Sequence, residues 1–136
     1  MHKDISFLIS SAYKPYEQYG KRVIESIRQI NSVGFSSEIL YCSPEEPNCK
    51  DVIWEKDNKM IGSIPAFNHL INVAKGDYIA ILTDDHLISS NFFDVLYFLE
   101  GSLFANRKYK ICTLASGIVG QNIQSQPCRL PEVFGP

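Results

Sequence analysis

The sequence predicts an α/β domain built on a mostly parallel sheet, and three observations carry that expectation. Short apolar runs suited to buried strands recur at residues 5–10, 38–43 and 78–82. Stretches with apolar residues at three- and four-residue spacing lie between them. Strand and helix patterns alternate, which is the order a parallel sheet with helical crossovers requires.

In chain order, residues 5–10 form a first strand that runs into Ser10-Ser11-Ala12. The Lys14-Pro15-Tyr16 turn signal follows. Val23, Ile24, Ile27, Ile30 and Val33 then mark an amphipathic helix, with Gly34 where a helix stop belongs. Residues 38–43 make a second strand closed by Pro44 and Pro47, and residues 51–55 a third. Pro65 sits where a helix's first turn tolerates it, ahead of an apolar face of Ala66, Phe67, Leu70, Ile71 and Ala74 that Lys75-Gly76 should end. Residues 78–82 carry no charge, which fits a central strand buried on both faces. Ser89-Ser90-Asn91 offers capping side chains to a helix bearing Phe92, Phe93, Val95, Leu96, Phe98 and Leu99, and residues 109–114 fit one further strand. Beyond residue 116 the glycines and prolines indicate loop or tail, so the expected division is a domain over 1–116 and a tail over 117–136.

Composition narrows the class of partner. With 45% hydrophobic and 21% charged residues the chain reads as one globular domain, and no apolar run reaches the roughly 20 residues of a spanning helix. The first residues lack a signal-peptide pattern, so a cytoplasmic location is the expectation, with peripheral membrane association left open. Scattered basic residues and a net charge of −2 argue against nucleic acid. Cys42, Cys49, Cys112 and Cys128 lack the close pairing of zinc sites and are expected to be idle thiols.

Ligands of parallel sheets bind at the carboxyl ends of the strands. Ser10, Ser11, Tyr13, Ser43, Asp84, Asp85 and His86 should gather there. Two adjacent carboxylates ending an apolar strand repel one another, which is relieved when a cation or hydrogen-bond donors face them. A hard divalent ion, Mn²⁺ or Mg²⁺, takes such oxygen ligands and completes its shell with substrate phosphates. By themselves the two aspartates fit solvated turn residues better than they fit metal ligands.

The matching segments are residues 5–13, 23–30 and 38–43, the Gly62 to Asn68 stretch, Gly76-Asp77-Tyr78-Ile79, and Thr83-Asp84-Asp85-His86. Together, over roughly residues 4 to 105, they resemble the nucleotide-sugar-binding half of a family 2 glycosyltransferase. The resemblance implies a Rossmann-like GT-A fold, a three-layer α/β/α sandwich with a mostly parallel central sheet, here truncated. It further implies that Asp85 ligates Mn²⁺ or Mg²⁺, that Asp84 lies near the donor ribose or a metal-bound water, and that Ser10, Ser11 and Tyr13 meet the base. Ser43 and Asn68 would also lie near the donor. His86, where relatives often carry Asp or Asn, is open as a phosphate hydrogen-bonding group, a metal ligand or a solvated loop residue.

Many relatives end the second strand in an Asp, whereas this chain has Cys42-Ser43-Pro44. The implied partners are a nucleotide-diphosphate sugar, expected to be UDP-linked, and a saccharide or lipid-linked acceptor; a homo-oligomer is left open. The general base is not assigned, because Asp94, Glu100 and Glu132 have no placement that spacing establishes. Two other readings stand beside this one. A nucleotidyltransferase would carry a glycine-rich phosphate loop after the first strand, which Ser10-Ser11-Ala12-Tyr13 lacks. A non-catalytic binding or assembly module would keep the fold without the chemistry.

Overall fold

The computed structural model describes residues 2–11, 17–32, 34–57, 62–83, 86–102 and 104–105. Their elements run β1 (Lys3–Ser10), α1 (Glu17–Gln29), β2 (Ser37–Ser43), β3 (Val52–Lys56), α2 (Ser63–Val73), β4 (Gly76–Thr83) and α3 (Phe92–Gly101). The strands form one sheet in the order β3-β2-β1-β4, and every pairing is parallel. This is a Rossmann-like α/β arrangement, as the alternation of segments predicts.

The chain divides into two compact units, residues 1–93 and 94–136, so the boundary falls inside α3. The first unit is layered. Register places Leu8, Leu40 and Cys42 on one face of the sheet, where Ala66 and Leu70 of α2 cover them with partly buried Phe67. On the opposite face Phe7 meets Phe92 and Phe93, with ring centroids 5.4 and 6.0 Å away. Val23, Ile24 and Ile27 of α1 are buried, and Gly20 lies so close to Tyr41 that a side chain there would strike the phenol. Burying these side chains, at about 1.5–3 kcal/mol each, is what holds the layers together. In the second unit, Leu96 and Leu99 are buried, and the Ser102 and Phe104 amides close the end of α3 on the Leu99 carbonyl. The 116/117 boundary and the strand expected at residues 109–114 lie outside the described residues.

Four expectations need correction. The charge-free run of residues 78–82 is not buried on both faces. Among the described residues β4 is an edge strand, and Ile79 and Ile81, on the face that α2 covers elsewhere, are 39% and 54% exposed. Lys75-Gly76 does not end a helix: α2 stops at Val73, and Gly76 opens β4. Glycine is needed there because a Cβ would sit 2.7 Å from the Ile5 carbonyl carbon and the Ser6 hydroxyl. α1 stops at Gln29, before Ile30 and Val33, and its end tightens as the Ile30 amide donates to the Ile27 carbonyl at 3.4 Å. The third strand begins one residue later than expected, since Asp51 has a φ of 58° and belongs to the turn. At α3, the capping signal is met by backbone: the Phe92 amide donates to the Ser89 carbonyl at 3.1 Å, and the Ser89 hydroxyl to Asn91 Oδ1.

A buried polar network locks the amino ends of three strands. Glu38 Oε1 accepts from the Ser6 hydroxyl and from the Lys75 amide, each at 2.6 Å, and Ser6 Oγ accepts from the Gly76 amide at 2.8 Å. The turn into β4 is thereby tied to β1 and β2. That fixes the register that carries Thr83 to the opposite end of the sheet beside Ser10.

Candidate functional site

The carboxyl ends of β1, β2 and β4 lie side by side, because Ser10 pairs with both Cys42 and Thr83. This rim is where a parallel sheet receives ligands. Ser10 and Ser11 are buried, and the Ser11 amide donates to the Cys42 carbonyl at 2.9 Å, so the first strand keeps its direction one residue past its end. The structure therefore brings together Ser10, Ser11, Thr83 and the approach to the acidic pair. Asp84, Asp85 and Tyr13 lie outside the described residues.

His86 flanks that pair on its far side and is tied to Thr83. The Thr83 amide donates to His86 Nδ1 at 3.3 Å, the Thr83 hydroxyl lies 3.2 Å from the same nitrogen, and the His86 amide donates to the Thr83 carbonyl at 3.2 Å. The ring is exposed yet oriented.

Ser43 ends β2 on the same rim but is engaged within the protein. Its hydroxyl donates to the Glu45 carbonyl at 2.5 Å and accepts from the Trp54 indole N–H at 3.1 Å, and the residue is 3% exposed. Asn68 is exposed on α2, two residues from each of the sheet-facing Ala66 and Leu70 and thus turned away from them. His69, next to it, pairs with Glu55 at 3.0 Å on the helix surface.

One rim carboxylate escaped the sequence reading. Asp57 follows β3 directly, its amide donates to the Ser43 carbonyl at 2.9 Å, and it is 4% exposed. Its position directly after the third strand was the available signal. Asp57 and Glu55 also act on Cys42. Burial first, and then these two carboxylates, push its thiol up to about 11. Cys42 and Cys49 are free thiols; Cys112 and Cys128 lie outside the described residues.

The other end of the sheet offers a contrast. A cavity of about 400 Å³ there is lined by Lys3, Glu38, Asp51 and Lys75 among others, of which Glu38 is already bonded. His2, Asp4 and Asp77 cluster nearby, with His2 Nε2 3.1 Å from Asp77 Oδ2. Asp4 Oδ2 accepts from the Ser36 amide at 2.7 Å and hydroxyl at 3.0 Å, which holds its carboxyl below the usual range.

No family model matches the chain, and no curated protein matches it in sequence. Among solved structures the fold is similar to that of Staphylococcus aureus TarS 1-349, with a TM-score of 0.58 and 10% sequence identity. The match covers 88% of this chain and 43% of the TarS chain, so this chain spans less than half of that protein's length. The likeness is one of fold. Among the described residues no helix is long and apolar enough to cross a membrane.

Proposed function

We propose that this chain is the donor-binding half of a family 2 glycosyltransferase, holding a nucleotide-diphosphate sugar and Mn²⁺ or Mg²⁺ at the carboxyl ends of β1 and β4. The observation that carries this reading is the pairing of Ser10 with Thr83, which sets the serine pair of the first strand beside the residue that precedes Asp84-Asp85 in the chain. The fold's likeness to TarS, a glycosyltransferase, supports it.

The donor set fits a hard divalent ion. Adjacent carboxylates supply oxygen ligands, and a diphosphate supplies the rest. In this reading Asp85 ligates the ion and Asp84 faces the ribose or a metal-bound water. A bound ion would neutralise charge on the leaving diphosphate. Ser10, Ser11 and Tyr13 meet the base, with Asn68 and Ser43 at the margin of the donor; Ser43 acts by shaping the rim, since its own hydroxyl is engaged. The buried Asp57 carboxylate occupies the neighbouring strand end and takes the place of an acid at the end of the second strand. The acceptor, a saccharide or lipid-linked hydroxyl, and the base that deprotonates it belong to the proposal for the whole enzyme.

Calorimetric titration with UDP, GDP, CDP and dTDP, with and without Mn²⁺, tests the reading. Saturable binding of one nucleotide that requires the ion supports it. Absence of binding to all four sinks it in favour of a binding or assembly module that shares only the fold.

A further inference from the structure

The contacts of His86 select one of the roles open to it. A backbone N–H can only donate, so the Thr83 amide at 3.3 Å requires a bare lone pair on His86 Nδ1, and the Thr83 hydroxyl lies 3.2 Å from the same atom. The neutral ring then carries its proton on Nε2. A nitrogen that bears a proton has no lone pair for a metal. For Nε2 to ligate an ion, the proton would have to move to Nδ1, where it would face the Thr83 N–H donor to donor. The same orientation leaves Nε2–H on an exposed residue at the carboxyl end of β4.

We propose that His86 is a hydrogen-bond donor, through Nε2–H, to an anionic phosphate oxygen of the nucleotide diphosphate, and is not a ligand of the divalent ion. This rests on the donor-site reading above. It assigns the position after Asp85 to recognition of the diphosphate and leaves ion binding to the aspartates. The carbonyl bond from the His86 amide and the two contacts at Nδ1 hold the ring in place before any ligand arrives, which limits the ordering cost of binding.

The test uses the full chain in one buffer at a fixed, mildly alkaline pH. Nucleoside diphosphate binding is measured for the wild type, His86→Ala and His86→Gln, with UDP, GDP, CDP and dTDP run in parallel, and the Mn²⁺ concentration for half-maximal binding is read for each at saturating nucleotide. The expected result is a loss of about tenfold or more for His86→Ala, typical of a hydrogen bond to a charged group. Glutamine, whose amide N–H reaches a similar position, should restore most of it, with the Mn²⁺ midpoint unchanged in both variants. Nitrogen-15 shifts of the His86 ring should show a protonated Nε2 and a bare Nδ1. The opposite tautomer, a silent His86→Ala, or a raised Mn²⁺ midpoint that glutamine does not correct overturns the assignment. If the wild type binds a nucleotide and the variants are silent, this inference alone fails. A wild type that binds none of the four takes down the donor-site reading and this inference together.

Discussion

Thr83 and His86 are bonded to each other on both sides of the acidic pair: backbone to backbone at 3.2 Å, and backbone to ring at 3.3 Å. The last residue of β4 thus sets where the chain re-emerges after Asp84-Asp85. Spacing between the two bonded residues should therefore matter as well as the identity of the two aspartates. Inserting one glycine between Asp84 and Asp85 should weaken metal-dependent nucleotide binding by about tenfold or more. The urea midpoint should stay nearly unchanged, since one added loop residue costs only tenths of a kcal/mol in closure. Calorimetry and urea unfolding on one preparation check both halves.

Glu38 anchors the amino ends of the strands, far from the proposed site. Glu38→Ala removes the acceptor of both the Ser6 hydroxyl and the Lys75 amide. A buried donor left unsatisfied costs about 1–3 kcal/mol. Chemical denaturation should show a loss of that order, with nucleotide affinity of the folded protein retained.

Gly76→Ala should be destabilising for a different reason. The added methyl meets backbone and side chain of Ser6 at 2.5–2.7 Å, and backbone cannot step aside as a flexible side chain would. Overpacking of this kind costs about 1–3 kcal/mol. An unchanged thermal midpoint would show that β4 does not sit as closely against β1 as its register requires.

Cys42 should be inert in the folded protein. Its thiol is pushed up to about 11 from 9.0, first by burial. A raised folded value means that the thiol form is favoured by folding: stability is fully present below pH 9.0 and is lost as pH rises towards 11. At pH 8 a disulfide reagent should therefore react with Cys42 only after unfolding, as peptide mapping can establish, while partly exposed Cys49 reacts first.

Much of this architecture was legible in the sequence, and the exceptions have physical causes. β1, β2 and most of the apolar face of α2 follow from runs and spacings that water forces to one side of an element, although Ile71 of that expected face is exposed. β4 was misjudged because a charge-free run reads the same whether one face or both are covered; Ile79 and Ile81 point to a face on which no described residue hides them. Gly76 looked like a helix stop because glycine serves that purpose often, and only three dimensions reveal that Ser6 leaves no room for a side chain. The rim serines were legible from strand ends. The Trp54 bond to Ser43 and the burial of Asp57 were not, since both depend on how β3 lines up with β2.

The most direct test of the central claim is to place the ion. Amide spectra of the full chain, recorded with the best-binding nucleoside diphosphate and substoichiometric Mn²⁺, report proximity through paramagnetic broadening. The account expects Ser10, Ser11, Thr83 and His86, at the carboxyl ends of the strands, to broaden first and Lys3, Ser37 and Lys75 to stay sharp. Broadening centred on His2, Asp4 and Asp77 at the opposite end, or none that depends on the nucleotide, would contradict it.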